Sequence, residues 1–167
     1  SICKWSGNRG IQTYAMERTV QNLAIYNTKW LRIFFNSNDI SLEVSFDEKE
    51  RLHRHFKWAS HTGVLSGGQW RRAQLASFMA WRDLGTYQFP LLIMDEACTS
   101  MDGEGIRDVQ RAFRDWCDED EARTCFFITH EPGQHRDTSI YDNHTIIQNK
   151  RGRASIIESS KRRKLFK

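Results

Sequence analysis

Along residues 10–35 the apolar side chains Val20, Leu23, Ala24, Trp30, Leu31 and Phe34 recur at three- and four-residue steps. That spacing is one face of a helix. Asn36-Ser37-Asn38-Asp39 reads as a turn. ISLEVSF follows, with Ile40, Leu42, Val44 and Phe46 alternating against Ser41, Glu43 and Ser45. Such alternation predicts a half-exposed strand. Residues 47–64 are polar and charged with no clear period. A second helix is expected from about Gln69 to Leu84, and a third over 104–117, where Ile106, Val109, Ala112, Phe113 and Trp116 share a stripe. LLIM at 91–94 and CFFIT at 125–129 are short, wholly apolar runs of the kind found in buried strands. TIIQNKRGRASIIE reads as a hairpin turning at Arg151-Gly152. Strand, helix, strand with apolar strands predicts an α/β fold around a parallel sheet. Trp70 and Trp81 are expected to pack.

Composition narrows the class. The chain has 167 residues, 39% of them hydrophobic and 28% charged, which predicts one soluble globular domain or lobe. No apolar run approaches the roughly 20 residues of a membrane span, so no membrane partner is expected. The net charge of +4 permits nucleic-acid binding without demanding it. Cys3, Cys98, Cys117 and Cys125 form no C-x-x-C pair and no zinc spacing. They read as reduced, mostly buried thiols of an intracellular compartment.

The chemistry gathers where the apolar runs end. LLIM leads into Asp95-Glu96, and CFFIT into His130-Glu131. In open α/β sheets ligands bind beyond the carboxyl ends of the strands. Adjacent carboxylates there are costly unless a cation or proton uses them. Asp95 suits Mg²⁺, which takes a carboxylate together with substrate phosphates. Glu96 suits a general base on an attacking water, and His130 a donor to a terminal phosphate. Ser66-Gly67-Gly68, in the stretch LSGGQWRRAQ, opens a helix. Its bare N–H groups and hydroxyl form an anion site, and glycine allows close approach of a phosphate.

LSGGQ, then LLIMDE, then Thr99-Ser100-Met101-Asp102, then Thr129-His130-Glu131 resemble the signature, Walker B, D-loop and switch histidine of ABC-type ATPase heads. Four short motifs in the right order over residues 65–130 make the resemblance specific. A long helix and an alternating strand ahead of the signature are similar to the re-entering C-terminal lobe of SbcC- and SMC-type ATPases. The resemblance implies a P-loop NTPase-like ABC head, C-terminal half, with a parallel sheet core flanked by helices and a C-terminal hairpin. Residues 1–64 would be the re-entry helix and strand, 65–158 the ATPase lobe, and 159–167 a basic tail. It also implies a function: head-to-tail dimerisation on ATP, released by Mg²⁺-dependent hydrolysis, acting on double-stranded DNA in repair or chromosome maintenance, with a nuclease subunit as a further partner. Glu96 would be the catalytic base, Asp95 the metal ligand, and His130 the γ-phosphate sensor. Ser66, Gly67, Gly68, Gln69 and Asp102 would act in trans on ATP held by the other head. Arg71 and Arg72 would couple the signature to its neighbours or contact DNA phosphates. The cytoplasm or nucleoid, or a nucleus, is the expected location.

The chain departs from the family pattern in places. Ala97-Cys98-Thr99 stands where Pro-Thr commonly follows Walker B, Met101 replaces a leucine, and Gln69 is more transporter-like than SMC-like. No G-x-x-x-x-G-K-[ST] occurs in the sequence, and no Q-loop can be placed. Turnover is therefore expected only with an N-terminal Walker A lobe from the same or another chain. A transporter nucleotide-binding domain and a non-hydrolysing half-head that binds DNA or a partner are the alternatives.

Overall fold

A computed structural model describes residues 8–47, 51–58, 64–86, 88–130, 140–150 and 153–161. The chain runs α1 (Asn8–Phe35), β1 (Ile40–Phe46), β2 (Leu52–Trp58), α2 (Gly67–Leu84), β3 (Leu91–Asp95), α3 (Gly103–Asp118), β4 (Thr124–Ile128), β5 (Asn143–Lys150) and β6 (Arg153–Lys161). β3 and β4 pair in parallel, joined by the α3 crossover, with Leu91 opposite Thr124 and Asp95 opposite Ile128. β1–β2 and β5–β6 are antiparallel pairs, the latter with a bulge between Ile146 and Ile147. The fold is thus the expected α/β arrangement, with a parallel β3–β4 pair and an antiparallel hairpin toward the C-terminal end. The hairpin turn at Arg151-Gly152, Glu131, and the tail beyond Lys161 lie outside the described residues.

The core lies where the three helices meet β1, β3 and β4. α1 supplies Trp30, Leu31, Phe34 and Phe35, and α3 supplies Val109, Phe113 and Trp116. Between them α2 buries mainly small residues, Ala73, Ala76 and Ala80, with Met79. Small side chains let neighbouring helices approach. Asn27 of α1 is buried and donates to the Ser77 hydroxyl of α2 at 2.7 Å, a polar tie across this contact. An aromatic chain from Trp30 through Phe34, Phe113 and Phe127 to Tyr141 has ring centroids 5.4–6.3 Å apart. The N-terminal turns of α1 differ. Ile11, Tyr14 and Met16 are exposed, so the helix projects past the core before it joins it.

Three expectations need correction. The segment 47–64 contains a strand, β2, whose period is masked because Arg54 falls among Leu52, Phe56 and Trp58, while His53, His55 and Lys57 alternate with them. The strands β3 and β4 are not buried on both faces. Leu92 and Met94 are buried, but Leu91 (49%), Ile93 (64%), Phe126 (57%) and Ile128 (53%) are exposed on the opposite face. Trp81 is exposed and does not pack as a core residue, and Trp70 is half-exposed, with an edge contact to Phe56.

Candidate functional site

Ser66 sits in extended backbone at the N-cap of α2. Its hydroxyl accepts from the Gln69 N–H at 3.3 Å, and its own N–H donates to Gln69 Oε1 at 2.8 Å. This reciprocal pair is a capping box. It satisfies two backbone donors and leaves the helix mouth facing outward. The two glycines then divide their tasks. A Cβ on Gly67 would meet nothing within 4 Å, whereas one on Gly68 would come within 2.8 Å of the Ser100 carbonyl oxygen and 3.2 Å of Met101 Cα. Gly67 is bare toward solvent, and Gly68 is bare because another backbone lies against it.

That other backbone is the segment leaving β3. Glu96 and Ser100 both adopt left-handed backbone, with φ of 50° and 68°. Such conformations cost energy in non-glycine residues and persist only where the surroundings fix them. Here the surroundings do so. Ala97, Cys98 and Met101 are buried, and the Glu96 N–H donates to the Ile128 carbonyl at 2.9 Å. Arg71 Nε donates to the Ala97 carbonyl at 3.3 Å. Asp102 ends the segment as the N-cap of α3, accepting from the Gly105 N–H at 2.8 Å and from Arg72 at 2.9 Å. The Gly105 hydrogen bond and the Arg72 guanidinium hold its carboxyl below the ordinary aspartate range, against a smaller opposing effect of desolvation.

Glu96 is joined to the end of β4. Its Oε1 accepts from the His130 N–H at 2.9 Å and lies 2.6 Å from His130 Nδ1, while Oε2 accepts from the Thr99 hydroxyl at 3.3 Å. Desolvation raises the Glu96 carboxyl. The His130 ring and N–H and the Thr99 hydroxyl together outweigh it and bring the group below the usual glutamate value. Apart from this contact the His130 side chain is 82% exposed. Asp95 is exposed at the last position of β3. Among the described residues no group of three or more His, Cys, Asp or Glu side chains could hold a metal ion. One exposed carboxylate fits Mg²⁺ that arrives with phosphates and water, rather than a metal caged by protein alone.

The residues singled out in the sequence therefore come together in two linked clusters. Ser66, Gly67, Gly68 and Gln69 form the helix mouth, and Asp95, Glu96 and His130 lie at the carboxyl edge of the β3–β4 pair. The segment Ala97–Asp102 runs between them. Arg71 and Arg72 both reach this segment, so they are tied into the protein. Thr99, as a partner of Glu96, and Gly105, as a partner of Asp102, are further members. Thr99 stands three residues after Glu96, a spacing that could have pointed to it, whereas nothing in the sequence marks Gly105. The thiols follow expectation in part: Cys98 is buried, Cys117 and Cys125 are half-buried, and burial pushes Cys125 up to about 12. No described helix is long and apolar enough to cross a membrane.

No family model and no curated protein matches the chain in sequence. Solved structures do match in fold. One, from work on ATP-driven dimerization and DNA-stimulated activation of SMC ATPases, aligns at a TM-score of 0.69 with 15% identity, over 86% of this chain and 87% of that one. An SMC head with an extended coiled coil, bound to the C-terminal domain of ScpA from Pyrococcus furiosus, aligns at 0.64 with 16% identity, over 87% of this chain. An SMC head bound to the C-terminal winged-helix domain of ScpA aligns at 0.67 with 15% identity, over 95%. The chain spans 36% and 48% of the lengths of these last two. In fold this chain is like these SMC ATPase heads.

Proposed function

We propose that this chain is the C-terminal half of an ATP-hydrolysing, SbcC/SMC-like head that dimerises head to tail on ATP and acts on double-stranded DNA. The observation that carries this reading is the docking of the Glu96–Asp102 segment against the signature turn, through Gly68, Arg71 and Arg72. An open anion-binding helix mouth and a carboxylate–histidine pair are thereby held in one piece, as phosphoryl transfer between two surfaces requires.

Each residue then has a task. Ser66 and the bare backbone of Gly67 and Gly68 approach the γ-phosphate of a nucleotide held by the partner head. Gln69 keeps the serine in place through the capping box. Asp102 crosses to the same interface. Asp95 would hold Mg²⁺, which would neutralise phosphate charge there. Glu96 orients the attacking water. Its carboxylate is held by His130 and Thr99, so it would act once His130 turns to a phosphate.

The lobe with the phosphate-binding loop must come from elsewhere, because no Walker A occurs in the sequence. The outer face of β3–β4 supports this. Leu91, Ile93, Phe126 and Ile128 form an apolar patch next to Asp95, and such a patch marks an interaction site. A nuclease subunit is the further partner this reading allows.

Glu96→Gln in the complete head is the test. Turnover should be lost while an ATP-bound dimer accumulates, as read by light scattering. Full turnover in this variant would remove Glu96 as the base. A complete head that binds ATP but never hydrolyses it would favour the binding-only alternative.

A further inference from the structure

Arg72 stands one turn into α2, yet its side chain is only 11% exposed and its contacts are on other elements. The guanidinium lies 2.9 Å from Asp102 Oδ1 and 3.7 Å from Asp108 Oδ2, both belonging to the start of α3. It donates to the Phe34 carbonyl at 3.5 Å, at the end of α1, and stacks over the Phe35 ring at 5.2 Å. Gly105 is a glycine for the same reason: a Cβ there would overlap the guanidinium. The Asp108 side chain is 12% exposed, so Arg72 compensates an enclosed carboxylate as well as an exposed one. A planar guanidinium can serve several acceptors in fixed geometry, which a lysine cannot.

We propose that Arg72 is a positioning residue that holds the Ser66–Gly68 turn and the loop ending at Asp102 in one register, so that both reach a partner head's nucleotide together. The proposal rests on the functional reading above and adds to it. Ser66 is fixed to α2 by its cap, and Asp102 is fixed to α3 by its own. Arg72 is the charged bridge between those two helix mouths. Without it, the segment is still tied to α2 by the Gly68–Ser100 contact and the Arg71–Ala97 hydrogen bond, but both fall short of Asp102 at the mouth of α3. Loss of Arg72 should leave each helix formed and each cap made, while their relative placement loosens.

The test uses the full-length protein with Arg72→Lys, Gly105→Ala, and the paired change Arg72→Met with Asp108→Asn. The pair removes both enclosed charges together and avoids an orphaned carboxylate. Amide exchange over residues 99–106 without nucleotide should accelerate in all three variants. ATP-driven dimerisation and kcat should fall about tenfold, within the usual range of a coupling effect. Nucleotide affinity of the single head and KM should stay at the parent value. Unchanged exchange overturns the proposal, as does raised exchange with dimerisation and kcat at the parent level, or an equal loss of nucleotide affinity. A parent protein that does not dimerise on ATP, with exchange still accelerated in the variants, refutes the functional reading instead and leaves Arg72 as the bridge alone.

Discussion

The two glycines of the signature turn offer a separation of stability from function. In Gly68→Ala the new methyl would meet the Ser100 carbonyl oxygen at 2.8 Å and Met101 Cα at 3.2 Å. Both are backbone atoms, and Ser100 is already in a left-handed conformation, so neither can yield as a flexible side chain would. Overpacking of this kind costs about 1–3 kcal/mol. For a chain of this size each kcal/mol lowers Tm by about 2–4 °C, so Gly68→Ala should melt roughly 2–12 °C below the parent. In Gly67→Ala the methyl meets nothing within 4 Å. Alanine is the better helix residue by up to about 1 kcal/mol, so this variant should melt at the parent temperature or up to about 4 °C above it. Function should follow a different order. The Gly67 methyl stands on the open helix mouth, where a phosphate would approach the backbone, and should abolish ATP-driven dimerisation of the complete head. Calorimetry on parent and both variants, with light scattering in the presence of ATP, reads both effects. A Gly67→Ala protein that dimerises normally would remove the anion-site assignment. A Gly68→Ala protein with parental Tm would show that the loop from Ala97 to Asp102 gives way more easily than its burial implies.

Two further outcomes follow from the geometry. Asp102 has its carboxyl depressed by the Gly105 hydrogen bond and Arg72, so its stabilising effect is complete above the ordinary aspartate range and is lost as pH falls through the lower folded value. Asp102→Asn should therefore flatten the acid limb of Tm against pH and leave its shape near neutrality unchanged, and a parental acid limb would contradict this. Phe113 is 1% exposed, with Phe34 at 5.4 Å and Phe127 at 5.5 Å, so Phe113→Ala should cost about 3–5 kcal/mol in urea unfolding, and a loss below 1 kcal/mol would mean that the aromatic chain closes over the gap.

The sequence by itself determined the local elements wherever one face is uniformly apolar. The stripes of α1 and α3 and the alternation of β1 depend on a period that burial imposes and that can be read without coordinates. The order of the four motifs is legible too, because it is a property of the chain before it folds. β2 was not legible because Arg54 interrupts its apolar face, and pairing with β1 supplies what the pattern lacks. The apolar runs of β3 and β4 looked fully buried because their composition is uniform. Composition cannot tell a face covered by this chain from one left open. Tertiary structure alone showed what the arginines touch. A run of two cations does not name its partners, and only folding brings Ala97, Asp102 and Asp108 to them from elsewhere in the chain. The same holds for Gly68 and Gly105, bare against Ser100 and Arg72 respectively. Steric exclusion between residues distant in sequence leaves no period behind it, so it appears only when the chain has folded.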